Sequence, residues 1–247
     1  MSAHATDSFE GSVVWLIGAT GTLGAATAEL LAARGAKLAI SARDVTKLDA
    51  VAGSIDPPPR IYPIDLKSES SVSAAATAIA NELGPIDCLA VSVSVPAFGE
   101  FLDLPDSAFA DAMDTKFMGS LRAIRAVLPG MLERRFGRIV VLSGGGGTFP
   151  RPVHLPGGGA NAALELVARG LAKRYANDGI RINVVAPGPI ESPRMRAIRD
   201  ASNAAGQGDG NIPIGQPKDV AEAICYLLSR RSEFINGDVM RVDGGAR

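Results

Sequence analysis

Val13-Val14-Trp15-Leu16-Ile17-Gly18-Ala19-Thr20-Gly21-Thr22-Leu23-Gly24 is the stretch from which the rest of the chain can be read. Five apolar residues run into glycines spaced three apart, and Ala- and Leu-rich sequence continues to Arg34. A Gly-rich turn carries meaning when it comes after a strand and opens a helix, as it does here. Glycine lets the backbone turn sharply and approach a pyrophosphate that a Cβ would fend off. The helix start adds N–H donors and the positive end of the helix dipole. An ordinary strand-to-helix turn is the competing reading, and the N-terminal strand–helix–strand setting weighs against it.

Outward from this turn the same alternation repeats. Strand-like runs are expected at Val13–Ile17, Lys37–Ser41, Ile61–Pro63, Cys88–Val93, Arg138–Ser143, Arg181–Ala186 and Val239–Val242. Helices are expected between them, at Thr22–Arg34, Val45–Gly53, Glu69–Leu83, Ser107–Arg134, Ala160–Asn177 and Lys218–Leu228. Gly35 has the position and type of a helix stop. Continuous apolar strands alternating with helices predict a parallel sheet covered on both faces. The expected fold is α/β, a Rossmann-like doubly wound parallel seven-stranded sheet in a single domain spanning 1–247. Residues 1–11 form a tail, and 194–211 form a mobile loop on the substrate side.

Composition narrows the function classes. At 247 residues the chain can bury a large core, and 47% hydrophobic with 21% charged residues is a globular balance. The net charge of -1 offers no general attraction to nucleic acid or anionic membrane, so neither partner is expected. Cys88 and Cys225 lie in apolar runs and read as buried thiols of a reducing compartment. MSAHATDSFE lacks the apolar core of a signal peptide, and no apolar run suits a membrane span. A cytoplasmic location is expected, with no metal site.

The second strand ends Ser41-Ala42-Arg43. An acid there would hold a ribose 2′-hydroxyl, but Ala42 is no acid and a guanidinium comes next. Arg binds phosphate in bidentate fashion, so NADP(H) is expected in preference to NAD(H). Arg43 as a solvated surface charge is the alternative.

Further motifs make the chain resemble the short-chain dehydrogenase/reductase (SDR) family over nearly its whole length. Asp65-Leu66 stands where that family contacts adenine, and Gly137-Arg138-Ile139-Val140 leads the fifth strand. Ile180-Arg181-Ile182-Asn183-Val184-Val185-Ala186-Pro187-Gly188-Pro189-Ile190 matches its sixth strand and nicotinamide loop, with Ser192 in place of the usual Thr. Gly237-Asp238-Val239-Met240-Arg241-Val242-Asp243-Gly244-Gly245 matches its C-terminal segment. The glycine spacing is nearer the family's extended branch, while the length and C-terminus fit the single-domain branch. The resemblance implies an oxidoreductase whose cofactor is held by Gly18, Thr20, Gly21, Thr22, Leu23, Gly24, Arg43, Asp65, Leu66, Pro187, Gly188, Ile190 and Ser192. It also implies a homodimer or homotetramer.

The family's chemistry needs a Tyr, a Lys four residues later on one helix face, and a Ser thirteen residues before the Tyr. The ammonium holds the ribose and lowers the phenol pKa from ~10, so the Tyr can exchange a proton with the substrate oxygen. Aligned from Leu171-Ala172, the Lys and Tyr positions fall on Asn161 and Gly157. Aligned from Ile139–Ser143, the Ser position falls on Gly144, with no gap between the two anchors. The family's helix Asn is Lys116, and its Asn-Asn-Ala-Gly after the fourth strand reads Val91-Ser92-Val93-Ser94. Every catalytic position is changed. Tyr62, Tyr175 and Tyr226 lie far from the segment.

Three readings are open. One is an NADP(H)-binding protein with weak or no hydride transfer of the usual kind, acting as sensor, scaffold or subunit partner. A second is a divergent NADPH-dependent oxidoreductase that takes its proton from His154 or water. The third is that nothing binds, since Thr22 and Val91–Ser94 both sit by the cofactor groove. His154 as a loop residue without chemistry is the plainer expectation. A solvent-facing Lys116 is likewise preferred to one exchanged in function with Asn161 at the ribose. Ser143 and Thr148 carry hydroxyls, with no base evident beside them.

Overall fold

The computed structural model describes residues 8–193, 195, 196 and 213–246. The loop expected at 194–211 lies outside the described residues apart from Met195 and Arg196. Seven parallel strands form one sheet: β1 Val13–Ile17, β2 Lys37–Ser41, β3 Arg60–Ile61, β4 Cys88–Val91, β5 Gly137–Leu142, β6 Ile180–Pro187 and β7 Val239–Val242. Their order is β3-β2-β1-β4-β5-β6-β7. The chain therefore reverses direction across the sheet between β1 and β4, and a crevice opens where their carboxyl ends part. The fold is the expected doubly wound α/β domain.

The helices are α1 Thr22–Ala33, α2 Val45–Gly53, α3 Glu69–Glu82, α4 Asp106–Ala112, α5 Gly119–Glu133, α6 Leu155–Tyr175 and α7 Pro217–Leu228. They cover both sheet faces, and two separate cores result. Trp15, Ile17, Leu89, Val141 and Leu164 belong to one. Val14, Leu16, Ile40, Val140 and Ile224 belong to the other. Alternate residues of β1 thus feed opposite cores, as the period of a strand requires. Trp15 buries its ring and donates its Nε1–H to Ser41 Oγ at 2.8 Å, which fixes β1 against β2. Gly35, at φ 83, ends α1 as its residue type foretold.

Four features differ from expectation where the site is built. The short strands β3 and β4 end earlier, at Ile61 and Val91. The last helix of the site begins at Leu155 rather than Ala160, so Gly157 and Asn161 lie in its first two turns. The single long helix expected over Ser107–Arg134 is divided by a π-helical segment, Met113–Met118. Ser120 donates its hydroxyl to the Lys116 carbonyl at 2.6 Å beside this segment. Single π turns inside α-helices are frequent at functional sites.

Candidate cofactor cleft and active site

Backbone proximity shapes the glycine turn. A Cβ at Gly18 would lie 2.1 Å from the Ser92 carbonyl oxygen, and Gly18 holds φ at 87. A Cβ at Gly24 would lie 2.1 Å from the Gly18 carbonyl oxygen. Those contacts let β1, β4 and the start of α1 meet closely. No side chain caps α1, and its first turn carries no acid. Its leading N–H groups are thus left to an anion.

Two cavities run along the carboxyl edge of the sheet from this turn. One, of about 200 Å³, is lined by Gly18, Thr20, Gly21, Arg43, Asp65 and Leu66, among others. The second, of about 520 Å³, is lined by Thr22, Leu23, Pro187, Gly188, Ile190 and Ser192, with Lys116 and Arg151. Both share Gly21 and Ser92–Ser94, so they meet as one cleft across the point of strand reversal. The sequence-expected cofactor residues all line this cleft except Gly24, which acts by packing beneath it. Arg43 lines the smaller chamber and has no hydrogen-bond or ion-pair partner among the described residues. A dinucleotide fits these features: a cleft of two joined chambers, an uncapped helix start between them, and an unspent guanidinium at one end.

The second chamber is lined by Lys116 and Ser143, and Gly144, Gly157 and Asn161 follow in the segments beside it. A Cβ at Gly157 would lie 2.2 Å from both Cε1 and Nε2 of His154, so the imidazole fills the space of the missing side chain. The His154 ring stacks on Phe98 with centroids 4.1 Å apart, and its Nδ1 lies 2.7 Å from the Ala97 carbonyl oxygen. A Cβ at Gly144 would lie 3.1 Å from Asn161 Nδ2, so the Asn161 amide stands beside Gly144, where the family resemblance expects Ser. His154 thus occupies the Cβ space of Gly157, and Asn161 borders that of Gly144.

Lys116 corrects an expectation. It does not face solvent; it is 6% exposed and donates from Nζ to the Ser143 carbonyl oxygen at 2.9 Å. Burial pushes its amine down to about 8, and the Glu165 carboxylate pulls it part of the way back. The π-helical segment Met113–Met118 supplies Lys116, and α6 supplies Glu165. The ammonium borders the larger chamber from the helix opposite Asn161.

Glu165 is the residue that sequence reading missed. It is 5% exposed, and Thr148 donates its hydroxyl to Oε2 at 3.5 Å. A carboxylate thus stands beside Thr148, where none was evident. A Cβ at Gly147 would lie 2.4 Å from Glu165 Oε1, so that glycine makes room for the acid. The signal was present: Glu165 lies four residues beyond Asn161 and so shares its inward helix face. Three buried atoms around this cluster lack a partner: Ser143 Oγ, Asn161 Oδ1 and Glu165 Oε1. Buried polar atoms normally find partners, and ordered water is the ordinary one.

A family model described as enoyl-(acyl carrier protein) reductase matches residues 18–247. The chain belongs to the short-chain dehydrogenase/reductase family. Among SDR relatives, it is 28% identical to the 3-oxoacyl-acyl-carrier-protein reductase FabG of Vibrio cholerae serotype O1, over 96% of this chain and 98% of that one. It is 31% identical to the inactive 2-(S)-hydroxypropyl-CoM dehydrogenase 2 of Xanthobacter autotrophicus, over 85% of this chain and 95% of that one. Its fold superposes on L-sorbose reductase from Gluconobacter frateurii, complexed with NADPH and L-sorbose, with TM-score 0.90 at 23% identity and 98% coverage of both chains. It also superposes on an NADPH-bound short chain oxidoreductase from Pseudomonas aeruginosa PAO1 containing an atypical catalytic center. That match has TM-score 0.87 at 25% identity and covers 96% of this chain and 98% of that one. No helix among the described residues is long and apolar enough to cross a membrane.

Proposed function

We propose that the protein binds NADP(H) in this cleft and has lost the phenol-driven hydride transfer of its family, so that turnover on ordinary carbonyl and alcohol substrates is weak or nil. The observation that carries this reading is the His154 imidazole in the volume of the missing Tyr. No phenol can enter there without displacing it. Arg43 supports NADP(H) over NAD(H), because its guanidinium is unspent beside the uncharged Ala42. Similarity to a relative named as inactive points the same way. A cytoplasmic homodimer or homotetramer is part of the proposal.

Within the cleft the chain's own residues have distinct tasks. Glycine backbone and the uncapped start of α1 would receive the pyrophosphate, and Arg43 the 2′-phosphate. Asp65 and Leu66 border the adenine side, while Pro187, Gly188, Ile190 and Ser192 border the nicotinamide side. When bound, the reduced cofactor supplies a hydride. Titration with NADPH and NADH, then turnover over aldehydes, ketones and alcohols, tests the proposal. NADPH is expected to bind at least ~10-fold more tightly than NADH, about 1.4 kcal/mol. Absence of NADPH binding would sink it, and so would turnover at the level of FabG.

A second reading has its own support. His154 stands where the phenol would, and an imidazole with a free pKa of ~6.5 is suited to proton exchange. On that reading the protein is a divergent NADPH-dependent oxidoreductase whose proton comes from a group other than Tyr. The neighbouring structure with an atypical catalytic center supports this in kind.

A further inference from the structure

We propose that Lys116 is the acid of this cleft, donating a proton from Nζ to the oxygen of a carbonyl substrate, with Glu165 as the buried group that keeps it charged. The inference rests on the second reading, taking the turnover as weak rather than nil and as carbonyl reduction with NADPH, and assigns the proton to Lys116 rather than to His154.

Four observations converge on it. The ammonium lines the 520 Å³ chamber although the residue is almost wholly buried. One of its three N–H bonds is taken by the Ser143 carbonyl, and no other acceptor among the described residues holds the remaining two. A buried ammonium with unspent donors is costly unless something in the chamber uses them. This buried side chain is carried by the π-helical segment Met113–Met118, where an uninterrupted α-helix was expected. The orphaned Asn161 Oδ1, Ser143 Oγ and Glu165 Oε1 surround the cluster with sites for ordered water.

Glu165 makes no direct ion pair with Lys116, yet it is the one charge that raises the Lys116 pKa. Water between them would serve both groups and give the amine a route for recharging. Among the described residues, the charged groups that line the chamber besides Lys116 are Arg151 and Glu191, with Glu191 in an ion pair with Arg196 at 3.3 Å. Glu165 of α6 lies outside the lining. His154 completes the set behind Phe98, and the chamber residues at the end of β5, Leu142 and Ser143, are neutral. An amine near 8 is mostly charged at neutral pH and can still release its proton.

Atoms and electrons balance. The carbonyl carbon gains a hydride with both electrons from NADPH, its oxygen gains the Lys116 proton, and the product is an alcohol, NADP+ and a neutral amine. Water then returns a proton to the amine. Apolar Phe98, Val93, Leu142, Ile190 and Met195 in the lining suit a carbonyl compound with an apolar body.

The test has one readout that needs no turnover. Competitive acetylation of Lys116 with acetic anhydride across pH 6–11, read by peptide mass spectrometry, is expected to show an amine titrating near 8 and protected by NADPH. In Glu165→Gln that titration moves to lower pH, since the charge that raised it is gone. The second readout is NADPH oxidation with benzaldehyde, 2,3-butanedione and ethyl acetoacetate. Wild type is expected to lose rate above about pH 8. Lys116→Met and Lys116→Arg are expected to lose ~10²–10⁴ of kcat with NADPH affinity kept. His154→Ala is expected to retain the descending limb even if its rate falls. An ordinary titration of Lys116 overturns the proposal, as does NADPH binding without oxidation by any of the three carbonyls. Turnover that survives Lys116→Met and vanishes in His154→Ala also overturns it. Failure to bind NADPH at all is the separate failure of the functional reading itself.

Discussion

His154 and Gly157 share one volume: the imidazole lies where any side chain at 157 would have to begin, 2.2 Å from an added Cβ. A phenol at 157 requires the His154 imidazole to move aside. Gly157→Tyr is expected to destabilise the fold by about 1–3 kcal/mol, the ordinary range for overpacking. Gly157→Tyr combined with His154→Ala should recover most of that loss. Urea melts of both singles and the double test the coupling; additive losses would show that the two positions do not collide.

Lys116 should make stability depend on pH in an unusual direction. Its pKa drops from 10.5 to about 8 on folding, worth about 3 kcal/mol between the two charge states. Between those values the unfolded chain binds the extra proton, so stability rises as pH rises. Below about 8 both states carry the charge and its full burial cost is borne. Lys116→Met is therefore expected to be more stable than wild type at pH 7, by an amount that shrinks as pH climbs toward 10. Melts at several pH values check it, and a difference that ignores pH would contradict it.

Arg43 should decide between the two dinucleotides. Arg43→Ala is expected to weaken NADPH by ~10–100-fold, the worth of a charge-assisted pair at a partly exposed site. NADH should change by less than about 3-fold. The combination Ala42→Asp with Arg43→Ala should favour NADH, because a carboxylate there accepts from the ribose hydroxyl and repels phosphate. Equal losses for both cofactors would remove Arg43 from recognition.

Gly24→Ala tests the packing beneath the turn. Its Cβ would lie 2.1 Å from the Gly18 carbonyl oxygen, which is rigid backbone. Losses of about 1–3 kcal/mol in stability are expected, with weaker NADPH binding because α1 must move off β1. An unshifted melt would mean that α1 yields freely.

The alternation of apolar runs and helical stretches made the sheet legible, and the glycine spacing located its crevice. Strands Val13–Ile17 and Lys37–Ser41 are apolar throughout, or nearly so, because both faces are covered. The residues that fall at the expected Ser, Tyr and Lys positions, Gly144, Gly157 and Asn161, could be read because regular elements anchor the alignment on either side. The side chains that took those places were not. His154 reaches the Gly157 volume from the turn before α6, and Glu165 enters from a later turn of that helix. Both depend on where α6 begins, five residues before the sequence suggested. Lys116 was misjudged because lysine is mostly exposed, and nothing in a heptad-like pattern announces a π turn.

That π turn has a bearing on how the site could be gained or lost. Each residue of an α-helix turns about 100°, so one extra residue in a turn resets the angular phase of the residues beyond it. Lys116 points inward by virtue of phase, as a single tooth on a gear points by virtue of the gear's setting. Removing one residue between Met113 and Met118 would leave every helix-former in place yet swing the ammonium toward another face. For this cleft, insertions and deletions are therefore sharper instruments of change than exchanges of one side chain for another.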